Sequence, residues 1–199
     1  FNRTLLRTAV ENAPEGVVIE TFDLISIPLY NKDVEVQGFP PGVREFREKI
    51  AAAAALLIAT PEYNFSVPGV LKNAIDWASS DPGSPLPGKP AALMGASPGI
   101  HGTVLSQQHL RQILLANAMP VLIRPLVYVG SARTKFDAEG QLTDEDTKAR
   151  VIKVVEAQIF HVELYAGLCE TVEQVAGGAP AGVDEPIWLM QRRHYMDEE

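Results

Sequence analysis

A single cysteine in 199 residues, Cys169, excludes an intramolecular disulfide framework and fits a reducing cytoplasm. No basic neighbour in sequence activates it, so it reads as a helix-face residue rather than a catalytic thiol. No apolar run approaches the roughly 18 residues that a membrane span needs, and no signal peptide is read in the chain. Positive charge is scarce. Seventeen basic residues stand against 25 acidic ones, a formal net charge of −8, and they are scattered singly or in short pairs. That excludes nucleic acid and anionic membranes as partners. His101 and His109 have no second ligand at metal-site spacing and read as loop and helix-surface residues. Asp137, Ala138, Glu139 and Gly140 form a turn without the ligand series of a calcium loop. What remains is a chain with a 46 % apolar fraction, enough to bury the core of one domain.

Strand and helix patterns alternate along it. Residues 1–12 predict a helix with Leu5, Leu6, Ala9 and Val10 on one face, ended by Pro14 and Gly16. Residues 17–24, VVIETFDL, are a β-branched strand. After a loop over 27–42 come a helix, VREFREKIAAA, and a strand, ALLIAT, with the boundary somewhere in 51–55. VPGVLKNAIDWASS is the next helix, with Pro68 in its first turn, where a missing N–H costs little. Leu71 and Trp77 belong to its core face, and Lys72 and Asp76, one turn apart, form a surface pair. AALMGAS is a strand, TVLSQQHLRQILLANA a helix, and VLIRPLVYVG a strand that Pro125 bends or places at an edge. The last long helix has Thr143 as its N-cap and Asp144, Glu145 and Asp146 at its positive end.

This order argues for an α/β fold: a parallel sheet with helices on both faces, its strands apolar throughout because both faces are covered. Four strands are visible and the chain opens on a helix, so a first strand is expected before Phe1, making five.

Ligands of such sheets bind at the carboxyl ends of the strands. Two strand-end loops carry unusual chemistry there. One holds Pro61, Glu62, Tyr63 and Asn64; the other runs from Ala96 through Ser97, Pro98 and Gly99 to Thr103. Tyr63 offers a flat apolar face with a polar tip, Asn64 a donor and an acceptor, and the glycines a close approach to backbone. Each has a plainer reading, Tyr63 as a loop tyrosine packed on its own protein and Asn64 as an Asx turn. Together they suit an aromatic heterocycle, with helix N–H groups near Asn2 for a phosphate. Residues 95–99 also match the G-x-S-x-G nucleophile elbow of hydrolases. The residue after the nucleophile must give its N–H to the oxyanion, however, and Pro98 has none.

The PEYN loop followed by PGVLKNAIDW resembles the NADPH-dependent FMN reductases, a flavodoxin-like family that includes bacterial chromate, quinone and azo-dye reductases. GKPAALMGASPG, LRQIL and FDAEGQLTDE extend the likeness to residues 1–168, and Phe1 and Asn2 look like the end of the family's phosphate loop. The resemblance implies a flavodoxin-like three-layer sandwich with a parallel five-stranded sheet and a non-covalent FMN. Pro61, Glu62, Tyr63 and Asn64 would wrap the isoalloxazine ring, Ser97 and Gly99 would approach its other side, and Asn2 would sit by the phosphate. It implies NADPH or NADH as co-substrate, ping-pong transfer to a quinone, flavin, azo compound or chromate, and a homodimer or homotetramer in the cytoplasm. A flavodoxin-type electron carrier or redox sensor with a protein partner is the alternative. The chain departs from the family's usual GGxRAQ stretch, with Ile100, Thr103, Leu105 and Ser106 replacing two glycines, the arginine and the alanine; Gln107 is retained. Residues 169–199 form an extension beyond the reductase domain. In it a linker-like stretch at 176–182 precedes an apolar cluster, Ile187, Trp188, Leu189 and Met190, expected to dock on its own domain or a neighbouring subunit.

Overall fold

The computed structural model describes residues 1–81 and 83–177. Three strands form one parallel sheet in the order β1 (Leu56–Ala59), β2 (Ala91–Ala96), β3 (Val127–Val129). Leu56 pairs with Ala91 and Ala59 with Met94; Met94 then pairs with Val127 and Ala96 with Val129. Around the sheet lie α1 (Asn2–Glu11), the short α2 (Lys32–Glu35), α3 (Pro41–Ala52), α4 (Gly69–Ser79), α5 (Val104–Ala116) and α6 (Glu145–Gly177). The compact unit that carries the sheet is Phe1–Val162; from Glu163 the chain, with the last part of α6, belongs to a second unit.

All six residues of β2 are buried, which makes it the centre of the sheet. Side chains alternate between the faces of a strand. Ala92, Met94 and Ala96 enter a core with Leu5 and Ala9 of α1 and Val151, Val154 and Val155 of α6. Ala91 and Leu93 enter a second core with Ile50 of α3, Ile75 and Ala78 of α4, and Leu110 and Leu114 of α5. Each fully buried leucine contributes about 1.5–3 kcal/mol. The result is a flavodoxin-like α/β sandwich in three layers, as expected. Small residues let the layers close up at the strand ends. A Cβ on Gly95 would come within 2.1 Å of the Thr60 carbonyl oxygen and 2.6 Å of Thr103 Oγ1, and one on Gly130 within 2.1 Å of the Ile100 carbonyl oxygen.

Three laddered strands are found among the described residues, against the four expected within the chain. Residues 17–24 form none. The alternation holds only at the start: Val17 and Ile19 are half-buried and Val18 and Glu20 exposed, but Thr21 is exposed as well and Phe22, 5.2 Å from Phe46, turns inward out of phase. β-branched residues bury side chains here without a hydrogen-bonding neighbour, so the segment packs on the core without being a strand. The buried face of α1 is Thr4, Leu5, Thr8 and Ala9 rather than one containing Val10, which is exposed. Thr4 is tolerated inside because its hydroxyl donates to the Gly140 carbonyl at 2.8 Å. At the start of α6 the cap is Asp144, not Thr143. Asp144 Oδ1 accepts the Thr147 N–H at 2.9 Å, whereas the Thr143 hydroxyl turns to the Lys135 carbonyl.

Other expectations hold. β3 is an edge strand, broken after Val121, which makes a lone bridge to Ala91. Trp77 is fully buried and donates its indole N–H to the Pro28 carbonyl at 2.9 Å, and Lys72 pairs with Asp76. The carboxyl end of α4 is closed by Arg47, whose Nη1 donates to the carbonyls of Trp77, Ala78 and Ser80 at 3.0, 2.8 and 2.8 Å. Last-turn carbonyls lack partners within their own helix, and a buried guanidinium supplies them. α6 runs unbroken past position 168, the expected end of the reductase domain, to Gly177; the proposed docking cluster at 187–190 lies outside the described residues. Among the described residues no helix is long and apolar enough to cross a membrane.

Candidate functional site

Three segments meet at the carboxyl edge of the sheet: the loop after β1, the loop after β2 and the first turn of α1. The chain leaves β1 through Thr60, which is fully buried, and enters Pro61 and Glu62. Tyr63 and Ser66 then pair in an antiparallel bridge, with the Tyr63 N–H donating to Ser66 O at 3.2 Å and the Ser66 N–H to Tyr63 O at 3.0 Å. The two residues between them, Asn64 and Phe65, have φ of +50° and +61°. Positive φ at both centres is the signature of a type I′ hairpin turn. Asparagine tolerates that region; phenylalanine does so at a steric cost. Tyr63 is 64 % exposed and Phe65 73 %, so the hairpin presents aromatic surface to solvent.

Glu62 does not reach out with its carboxylate. Its Oε2 accepts the Ser106 N–H at 3.0 Å, in the first turn of α5. That turn needs an acceptor, since the Thr103 side chain at the N-cap accepts from the Gln107 side chain and caps no helix N–H, and a carboxylate there also meets the positive helix end. The Ser106 hydroxyl donates to the Pro61 carbonyl at 2.9 Å, and the Thr60 hydroxyl donates to the same oxygen at 3.0 Å.

The loop after β2 is fixed by its main chain. The Ser97 N–H donates to Val129 O, the Ala132 N–H to Ser97 O and the Ser131 N–H to Gly99 O, all between 2.9 and 3.1 Å. Ser97 is half-buried, and Pro98, Gly99 and Ile100 are exposed. Among the described residues the Ser97 hydroxyl accepts one bond, a long one of 3.4 Å from the Gly99 N–H. Asn2 joins this loop to α1. Its Nδ2 donates to Ala96 O at 2.9 Å, and its Oδ1 accepts the Ala96 N–H at 2.8 Å. The α1 N-terminus beside it carries no acidic residue in its first turn and no side-chain cap.

Of the seven residues expected at the site, Asn2 is thus tied to the end of β2, Ser97 and Gly99 to residues 129–132, and Pro61 and Glu62 to α5. Tyr63 and Asn64 lie on the exposed hairpin. Sequence reasoning missed the hairpin itself, because Asn-Phe lacks the glycine that marks such turns. It also missed Ser106 and His109 as its supports; the His109 ring nitrogen Nδ1 lies 3.0 Å from Ser66 Oγ. Open clefts also lie elsewhere among the described residues. One, of about 270 Å³, is lined by Thr4, Arg7, Glu11 and Lys148 among others. The second, of about 380 Å³, is lined by Tyr30, Lys32, Glu35, Asp76, Ser79 and Ser80. In the second, hydrogen bonds from Lys32 and then Tyr30 hold the Glu35 carboxyl below its ordinary range.

The chain can be compared with known proteins on this basis. The family model described as NADPH-dependent FMN reductase matches residues 1–134. An NAD(P)H-dependent FMN reductase of Pseudomonas aeruginosa is 50 % identical over 165 residues, covering 83 % of this chain and 87 % of that protein. An NADPH:quinone oxidoreductase of Arabidopsis thaliana is 44 % identical over 161 residues, covering 78 % and 81 %. Among solved structures, the flavoenzyme NAD(P)H:(acceptor) oxidoreductase FerB from Paracoccus denitrificans superposes with a TM-score of 0.74 at 34 % identity, covering 83 % of this chain and 91 % of that one. The chain belongs to the NADPH-dependent FMN reductase family, as an oxidoreductase with FMN for its bound cofactor and NAD(P)H for its electron donor.

Proposed function

We propose that the chain is an NAD(P)H:acceptor oxidoreductase acting on quinone-type small molecules at the carboxyl edge of its sheet, with azo compounds, free flavins and chromate as further acceptors. The observation behind the site is the exposed Tyr63 hairpin, held at the end of β1 beside the loop of Ser97 and Gly99. The donor set suits FMN. Tyr63 gives a flat wall for the isoalloxazine ring, and exposed Gly99 leaves main chain open to approach. The α1 N-terminus offers uncapped N–H groups to a phosphate. Asn2 serves the phosphate indirectly, since both of its side-chain atoms are already used in setting α1 against Ala96. Glu62 likewise contributes main chain rather than carboxylate.

When bound, FMN supplies the hydride-accepting chemistry. The protein's residues hold the ring and orient it, and no side chain is assigned an acid or base role. Donor and acceptor take turns at one exposed edge, which makes the kinetics ping-pong. A homodimer or homotetramer belongs to the same proposal, and sedimentation that finds only monomer at micromolar concentration removes that part of it.

The test is a purified protein with a flavin absorbance spectrum, assayed for NADPH and NADH oxidation with 1,4-benzoquinone. Parallel initial-rate lines are expected on double-reciprocal plots. A yellow protein that fails to turn over quinones, azo dyes, flavins or chromate would instead be an electron carrier or sensor.

A further inference from the structure

Helix α5 grips the Tyr63 hairpin at both of its ends. At the entry, Ser106 gives its N–H to Glu62 and its hydroxyl to the Pro61 carbonyl. With the Thr60 hydroxyl on the same carbonyl, both lone pairs of that oxygen are taken. At the exit, His109 meets the hydroxyl of Ser66, the residue that pairs with Tyr63 across the turn. Ser106 and His109 are three positions apart, so they share one face of α5. Ser106 itself is fully buried, its bonds to Pro61 and Glu62 are partly buried, and the outer contact is exposed.

The hairpin needs such support. It has one bridge and a two-residue turn, and isolated hairpins even of full strands are marginally stable in water. Its second turn residue, Phe65, adds a conformational cost. Aromatic stacking depends on the position of the ring, so a wall built on an unsupported turn would be a poor one.

We propose that Ser106 and His109 are positioning residues for the cofactor: a two-point clamp that fixes the Tyr63 ring against FMN without itself touching the flavin. The inference rests on the reading of Tyr63 as a flavin wall.

The test compares the parent with Ser106→Ala, His109→Ala, His109→Gln and Tyr63→Ala. FMN is titrated into each apoprotein by its fluorescence, the bound flavin's visible circular dichroism is recorded, and hydrogen exchange at the Ser66 N–H is followed in the apoprotein. Ser106→Ala and His109→Ala should each weaken FMN binding about two- to tenfold, the loss of one ordinary hydrogen bond. Both should alter the flavin dichroism and speed exchange at Ser66, while His109→Gln, which keeps a polar partner for Ser66, should retain parent affinity. Parent affinity, dichroism and exchange in both alanine variants, with binding weakened in Tyr63→Ala, would overturn the clamp and leave the site standing. Undiminished binding in Tyr63→Ala would overturn the site reading and the clamp with it. If Ser106→Ala does not fold, the exposed His109 substitutions decide the matter alone.

Discussion

Asn2 pairs with Ala96 as one strand pairs with the next, its carboxamide offering a donor and an acceptor to the N–H and C=O of a single residue. A side chain thereby extends the hydrogen bonding of β2 toward α1. Asn2→Ala should lower stability by about 1–3 kcal/mol, because it leaves two main-chain groups at a partly buried strand end without partners. Urea denaturation of the apoprotein measures this. FMN affinity should fall as well, since Ala96 leads directly into Ser97.

The aromatic wall is tested at the hairpin. Tyr63→Ala should weaken FMN binding by about 1–3 kcal/mol, the range for an aromatic side chain stacked on a base. Asn64→Gly keeps positive φ accessible, so any loss of affinity there, about 1 kcal/mol, belongs to the carboxamide and not to the turn. Phe65→Gly should raise apoprotein stability by up to about 1 kcal/mol, the left-handed cost less the entropy of glycine. Fluorescence titration and thermal melts separate these effects.

Ser97 should not act as a nucleophile. Pro98 has no N–H for an oxyanion, and among the described residues the Ser97 hydroxyl has only the long bond from Gly99. Ser97→Ala should keep reductase turnover within about tenfold. Covalent labelling of the parent at Ser97 by an organophosphonate, lost in the alanine variant, would overturn this.

Acid should loosen the start of α6. The Thr147 hydroxyl, the Thr147 N–H and then Lys135 pull the Asp144 carboxyl from 3.8 down to about 2. The folded pKa is the lower one, so the stabilisation is complete above the ordinary carboxylate range and is lost as pH falls from about 3.8 through about 2. Melting temperatures should drop across that window, less steeply in Asp144→Ala. At neutral pH that variant should be less stable by about 0.5–2 kcal/mol, the cost of a lost cap.

Much of this was legible in the residues. Apolar periodicity located α1 and α3 to α6 and the three laddered strands, because burial on both faces of a sheet leaves continuous apolar runs. Pro125 marked the edge strand because proline cannot donate to a ladder. Pattern alone failed where burial and hydrogen bonding part company. Residues 17–24 have the β-branched composition of a strand but no ladder neighbour among the described residues, and Thr4 and Thr8 take inner positions that their polarity argued against. At the site, the motif identified the loops but not the division of labour within them. Asn2 and Glu62 look like ligand contacts in sequence and act as fasteners in space. Their partners, Ala96 and Ser106, lie 94 and 44 residues away, beyond any local pattern.

Gly95 and Gly130 each face a carbonyl oxygen at 2.1 Å from where a Cβ would stand. In a saturation mutagenesis screen, both positions should therefore tolerate almost nothing, on a par with residues that touch the cofactor. Scored by intolerance alone they would be taken for parts of the chemistry, when each only keeps two stretches of main chain close. Ser97→Ala makes the opposite case, a mild change at the mouth of the proposed site. A mutational map of this enzyme would thus outline the contact between its loops before it outlined its active site, and flavin content would have to be scored beside growth or turnover to tell the two apart.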